Sequence, residues 1–480
     1  MLIKEKCGLA AASSQKEANV LPLIVNMLRA LQHRGQEAWG LAVPGKEPWR
    51  MLGLVSESLG KAAAICARSP SPYAIGHTRY STVGRTVLEN VQPMMVGREF
   101  AIAHNGTISN TEEIVSRLSS YYDVPTWASD TLIVGYRIHY LLSKFNGDWF
   151  KVFEELAPEL NGAYCFIILT KAGEVYAARD ERGFRPLCLG WHDETSSYVV
   201  ASESCALSVI GAQLIRDVKP GEIIRIKRGI IETHMFAESE RPAHCAFEYT
   251  YFANPSSTLD GVSVYEARKR LGYELARLYK IEADIVIPVP DSARPAALGF
   301  SQVSGIPLEE GLMKDRYSKK GGLRSFIEPA LKDRLEINRW VLPVEQTVRG
   351  KRVVLIDDSI VRGTSSRTII KALRKAGAKS ISLLSTYPPI RYPCFAGIDF
   401  PTKEELVAHK IGSDVEDLAE INKRVAEEVG ADFVGYNTLE GLAKGICKPL
   451  TDLCTSCHTG NYSCLKKTPQ YTQRMKKGRW

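Results

Sequence analysis

The chain has 480 residues, of which 45% are hydrophobic, 24% charged and 9% aromatic, a soluble globular balance that excludes disordered, collagenous and membrane-spanning classes. Its length is a prior for about three domains, and no apolar run approaches the roughly 18 residues a spanning helix needs. The net charge of +8 sits mostly at the end, because Lys466, Lys467, Arg474, Lys476, Lys477 and Arg479 are basic and Leu465–Trp480 holds no acid. Such a tail reads as a solvated terminus, and no nucleic-acid partner is expected. The N-terminus lacks a sustained apolar h-region, so the chain reads as cytoplasmic with no membrane partner. In that compartment eleven cysteines are not a disulfide framework.

Up to about Ser239 the chain reads as short strands with turn punctuation. Helices are expected at Val20–Leu31 and Asp130–Leu142. Strands are expected at Tyr73–His77, Phe100–His104, Tyr164–Thr170, Val175–Arg179 and Tyr198–Ser202, with Lys171–Glu174 as a hairpin connection. This is an α+β pattern of sheets with covering helices. From about Ser263 the rhythm becomes helix Val264–Tyr279, strand Ala283–Pro290, strand Lys351–Asp358, helix Ser365–Ala378 and strand Ser380–Tyr387. That alternation predicts an α/β domain with a mainly parallel sheet. Thr402–Glu405 and Ser413–Glu416 read as capping boxes that open further helices.

The strongest local signal is Arg352-Val-Val-Leu-Ile-Asp357-Asp358-Ser359-Ile-Val-Arg-Gly363-Thr364-Ser365-Ser366. An apolar strand ends in two carboxylates, and a loop with Gly and hydroxyls then opens a helix. Loop N–H groups and a helix N-terminus favour a phosphate, and the carboxylates can hold ribose hydroxyls or hydrated Mg²⁺. The segment resembles the phosphoribosyl pyrophosphate (PRPP) motif of type I phosphoribosyltransferases. The resemblance implies that the acidic pair contacts the ribose and that Ser359, Gly363, Thr364, Ser365 and Ser366 wrap the 5′-phosphate.

The first half carries Cys7-Gly8, His33-Arg-Gly-Gln-Glu37, Gly76-His-Thr-Arg79, Ala103-His-Asn105-Gly106 and Ser129-Asp130-Thr131. Each is weak alone. A cysteine at a mature N-terminus, however, can use its own α-amine, of ordinary pKa about 7.7 to 8.0, as general base. That chemistry requires removal of Met1–Lys6. The set resembles the N-terminal-nucleophile glutaminase domain of class II glutamine amidotransferases. With the downstream motif, Cys7 to about Gly460 resembles the amidophosphoribosyltransferase family, the glutamine–PRPP amidotransferases that start purine synthesis. Ala201–Leu207, Phe247-Glu-Tyr249, Ile287–Ser292 and Pro389–Pro393 agree with that family too.

The resemblance implies a propeptide (1–6), a glutaminase domain of N-terminal-nucleophile hydrolase layers (7–239), a phosphoribosyltransferase domain (240–450) and a CxxC segment with basic tail (451–480). It implies Cys7 as nucleophile, Asn105 and the Gly106 N–H as oxyanion hole, Arg79 on the glutamine carboxylate and Asp130 on its amine. It places Mg²⁺ at Ser292, Asp357 and Asp358, and phosphate contacts at Lys314 and Arg316. Glutamine and PRPP are the implied substrates, a homotetramer the implied assembly, and purine nucleotides the implied inhibitors.

Cys454-Thr-Ser-Cys457 is a chelating pair, and spacing alone leaves zinc and iron–sulfur both open. The family resemblance adds Cys245 and Cys394 and implies a 4Fe–4S cluster on these four. Cys66, Cys165, Cys188 and Cys205 read as core residues.

Departures from the family pattern include Thr107, Leu132, Asn254-Pro-Ser, Trp340–Pro343 and the extra Ser318–Leu323. They keep a second reading in view, a degenerate paralogue that binds PRPP as a regulator. A third, another glutamine-dependent transferase such as an asparagine or hexosamine-phosphate synthase, is disfavoured by the Asp-Asp phosphate loop.

Overall fold

The computed structural model describes residues 7–79, 88–314, 341–397, 402–412 and 415–467. The first half is built on two stacked antiparallel sheets. One runs in the order Gln213–Asp217, Cys188–His192, Ser197–Ala201, Gly8–Ser14, Tyr73–Arg79, Ala38–Ala42, Trp49–Leu52. The other runs Ile230–Met235, Glu222–Lys227, Val175–Arg179, Gly162–Thr170, Phe100–Ile108, Met94–Val96.

Alternation in each strand sends one set of side chains between the sheets. Leu9, Ala11 and Ile75 there meet Ala101, Ala103 and Ile167. Helix Leu21–Ala30 covers the outer face of the first sheet, where Ala10, Ala12 and Ala74 pack on Ile24 and Leu28. Gly76 is required at that seam, because a Cβ there would lie 2.6 Å from Ile24. Helices Asp130–Lys144 and Trp149–Leu156 cover the second sheet. These four layers are the α+β arrangement expected of the first half.

The second half holds a four-stranded sheet in the order Ile285–Pro288, Arg352–Asp357, Ser380–Ser385, Phe433–Tyr436, with every pairing parallel. Helices Val264–Leu278 and Arg294–Ser304 pack on one face, and Thr364–Lys375 and Leu418–Val429 on the other. The α/β expectation is met. The capping boxes are corrected. Thr402 makes no side-chain cap and opens only a 3-10 turn at Lys403–Glu405. Helix Leu418–Val429 starts later than expected and is capped by Asp417, whose carboxylate accepts from the Ala419 N–H; Ser413 lies outside the described residues.

The halves are stitched together. Arg179 of the first half holds Asp260 of the second at 2.7 and 2.9 Å, and within the second half strand His244–Cys245 pairs in parallel with Leu453–Cys454. The start of the basic tail is also fixed rather than solvated. Lys466 Nζ donates to the carbonyl of Leu160 at 3.0 Å and pairs with Glu181 at 2.7 Å.

Candidate active sites

Cys7 lies at the head of the first strand and is 5% exposed. Its carbonyl accepts from Arg34 Nε at 3.0 Å. Gly35 allows the same loop to sit on the neighbouring strand, since a Cβ there would lie 2.5 Å from the Thr78 carbonyl carbon and 2.6 Å from the Arg79 nitrogen. Cys7 and Arg79 therefore flank one loop. Arg79 ends its strand half-buried, and its Nε has no partner among the described residues.

On the second sheet, Asn105 and Gly106 occupy strand Phe100–Ile108, which pairs with Gly162–Thr170. Asn105 is 1% exposed, and its amide nitrogen has no hydrogen-bond partner among the described residues. An unsatisfied buried donor of this kind costs about 1 to 3 kcal/mol, so its retention points to a ligand acceptor. Gly106 cannot carry a side chain, because a Cβ would fall 2.0 Å from the Ala163 carbonyl oxygen. Asp130 opens helix Asp130–Lys144 and ties it to the same strand by accepting from the Ile108 N–H at 3.2 Å. Leu132 is buried on that helix in the apolar core.

Behind these residues lies a buried ionic network that sequence reasoning left without a role. Arg34 donates to Glu203 at 2.5 Å and forks onto Glu248 at 2.9 and 2.7 Å. Arg185 reaches Glu248 at 3.0 Å from the other side. Burial raises the proton affinity of Glu203, but His33 and Arg34 outweigh it and hold the carboxyl far below its usual range. Arg34, Glu203 and Glu248 fall in the family-like stretches His33–Glu37, Ala201–Leu207 and Phe247–Tyr249, but nothing in the sequence joined them into one network, and Arg185 carried no such signal.

The phosphate-loop residues gather at the carboxyl end of the parallel sheet, where ligands of open α/β sheets bind. Asp357 ends its strand and Asp358 follows; both are under 9% exposed. Ser292 donates to Asp358, and Ser359 does so at 2.8 Å. Burial, reinforced by the Asp358 charge, pushes the Asp357 carboxyl well above its usual range. The pair thus favours a bound cation or hydroxyl donors. Gly363 caps helix Thr364–Lys375 with φ +74°, a conformation suited to glycine. Thr364, Ser365 and Ser366 form the helix's first turn. Lys314 lies on a separate short hairpin, Leu312–Lys314 with Val341–Pro343. Arg316 and Trp340 lie outside the described residues.

Cys245, Cys394, Cys454 and Cys457 line one recess of about 460 Å³ including its mouth, together with Phe247, Tyr387 and Cys464. Cys464 lies beside the CxxC pair in the sequence but not in the implied ligand set, and its Sγ stands 3.8 Å from that of Cys454. Burial raises the thiols of Cys245 and Cys457, whose acidity is further opposed by neighbouring thiols. A bound cationic group would be needed to favour thiolates there. Among the described residues no three His, Cys, Asp or Glu side chains stand close enough to hold a single ion. Cys165, Cys188 and Cys205 are buried, while Cys66 is only half-buried.

Comparison with known proteins agrees with both halves. A glutamine amidotransferase domain model matches residues 77–209 and a phosphoribosyl transferase domain model matches residues 259–391. The chain is 40% identical to the amidophosphoribosyltransferase of Methanocaldococcus jannaschii over 479 residues, covering 95% of this chain and 97% of that one. It is 42% identical to that of Archaeoglobus fulgidus, covering 91% and 93%. Among solved structures it is similar to the glutamine PRPP amidotransferase from B. subtilis complexed with ADP and GMP, at TM-score 0.81 and 36% identity, covering 95% and 97%.

Proposed function

The chain belongs to the amidophosphoribosyltransferases, and from that premise we propose how its residues divide the reaction. The enzyme uses glutamine, PRPP and water to make 5-phosphoribosylamine, glutamate and pyrophosphate, the first step of purine synthesis. Relatives sharing one name across both halves lend no support to the PRPP-binding regulator.

The observation that carries the glutaminase assignment is the buried, unpartnered amide nitrogen of Asn105 beside Gly106. After removal of residues 1–6, the Cys7 α-amine takes the thiol proton and the sulfur attacks the glutamine amide carbon. Asn105 Nδ2 and the Gly106 N–H donate to the oxyanion, which exists only in the tetrahedral state, and so lower the barrier. The C–N bond breaks, ammonia leaves with a proton returned by the α-amine, and water releases glutamate from the thioester. Arg79 holds the substrate carboxylate and Asp130 its amine.

At the second site Asp357 and Asp358 hold the ribose hydroxyls, and Ser359, Gly363, Thr364, Ser365 and Ser366 surround the 5′-phosphate. Lys314 and Arg316 contact phosphate. Ser292, Asp357 and Asp358 would hold Mg²⁺, which when bound would neutralise charge on the leaving pyrophosphate. The residues present fit it. Cys245, Cys394, Cys454 and Cys457 line one largely apolar recess, and these four thiols would hold a 4Fe–4S group that ties linker, second domain and C-terminal segment together. A homotetrameric assembly and a cytoplasmic location complete the proposal.

The test is glutamate release from glutamine by anaerobically purified protein, with and without PRPP and Mg²⁺. Release stimulated by PRPP supports a freed Cys7 and two communicating sites. Absence of release under both conditions would sink the glutaminase assignment.

A further inference from the structure

Gly106 and Gly397 approach from opposite halves of the chain. Gly397 has φ +86°, and a Cβ on it would lie 3.3 Å from the Gly106 carbonyl carbon, 3.0 Å from Thr107 Oγ1 and 2.7 Å from Arg185 Nη2. The backbone that ends the Cys394–Gly397 segment thus sits directly against the strand bearing the proposed oxyanion donors.

Arg185 holds it there. The side chain is 1% exposed, and its Nη2 donates to the carbonyl of Ala396 at 3.0 Å and to that of Gly397. Its Nη1 is anchored on Glu248. One rigid, planar donor fork therefore fixes the segment relative to both halves. A lysine could keep the charge but not three directed bonds.

The same three pieces of chain wall the thiol recess. Phe184 lines it beside Arg185, Cys245 lines it three residues before Glu248, and Cys394, Phe395 and Ala396 line it just before Gly397. Cys245 also donates its N–H to the Phe184 carbonyl at 3.2 Å.

We propose that Arg185 is a positioning residue for glutamine hydrolysis, seating the Cys394–Gly397 segment against Gly106 and so setting the oxyanion donors from the other half of the chain. The inference rests on the oxyanion assignment of Asn105 and Gly106. Because an oxyanion donor acts only if its N–H meets the position the charged oxygen will occupy, a shift of a fraction of an ångström reaches kcat before it reaches substrate binding. A merely structural arginine would not separate the two.

Arg185→Lys and Gly397→Ala test this in the full-length holoenzyme, with Asn105→Ala as control. For each we would measure kcat and KM for glutamine hydrolysis, inhibition by the aldehyde analogue of glutamine, iron per chain and melting temperature. That aldehyde adds Cys7 to form a tetrahedral adduct. Loss of an oxyanion donor costs about 10²- to 10³-fold in kcat, which is the expectation for Asn105→Ala. The two positioning variants should lose on the order of tenfold in kcat and in aldehyde affinity, with KM within about threefold and iron content unchanged. If Asn105→Ala falls and the other two retain full kcat, this proposal is overturned while the oxyanion assignment stands. If Asn105→Ala is itself unimpaired, the assignment fails first. Loss of kcat, KM, iron and melting temperature together would make Arg185 a residue of the fold alone and overturn the proposal as well.

Discussion

Arg34 forks onto Glu248 at 2.9 and 2.7 Å, joining the loop that holds the Cys7 carbonyl to the segment entering the phosphoribosyltransferase half. Glu248 also receives Arg185, so one buried carboxylate balances two guanidiniums.

Glu248→Gln should therefore destabilise strongly. Removing one partner of a buried pair leaves an uncompensated charge at a cost of about 3 to 5 kcal/mol, although Glu203 still offsets part of Arg34. Denaturant unfolding at matched iron content would show it; an unchanged midpoint would mean the network is solvated in solution.

Cys7→Ala should abolish glutamate release yet leave phosphoribosylamine formation from added ammonium within about threefold, since the second site lies at the end of a different sheet. Parallel assays of both half-reactions decide this. Equal loss of both would tie Cys7 to the synthase chemistry too.

Asp358 receives hydroxyls from Ser292 and Ser359 and lies in the phosphate loop. Asp358→Asn should weaken PRPP binding in the presence of Mg²⁺ by about tenfold or more, because bonds to charged groups are worth about 1.5 to 3 kcal/mol. Ser292→Ala should cost less. Calorimetric titration with PRPP checks the order, and unaltered affinity in Asp358→Asn would remove it from the site.

Burial alone would raise the Asp260 carboxyl, but Arg179 outweighs it and holds it down at about 2. The ordinary value is about 3.9, so the unfolded chain takes up the proton first as pH falls. The stabilisation is complete above about pH 4 and is lost as pH drops toward 2. Asp260→Asn should lower the melting temperature at pH 7 and shrink the further drop between about pH 4 and 2. An acid limb as steep as in the unaltered protein would exclude the pair as its source.

Cys457→Ser should lose iron, whereas Cys464→Ser should retain about four irons per chain, the content of a 4Fe–4S group. Iron and sulfide analysis of anaerobic protein distinguishes them. Retention in Cys457→Ser with loss in Cys464→Ser would transfer the ligand role to the thiol beside Cys454.

The sequence by itself determined the sheets with covering helices of the first half and the parallel sheet of the second, because strand alternation and helix periodicity are local patterns that bury one face. It also exposed the strand-to-helix loop proposed to bind phosphate, because strand, acidic pair, glycine and hydroxyls are contiguous in Arg352–Ser366. Tertiary structure decided what is built from distant positions. Arg34, Glu203 and Glu248 lie in three separate family-like stretches and Arg185 in none, and no local spacing shows that folding removes the four from water together. The approach of Gly397 to Gly106 and of Cys464 to Cys454 is likewise set by packing between elements. Lys466 makes the same point, since composition assigns it to a solvated tail while the Leu160 carbonyl and Glu181 fix it in place.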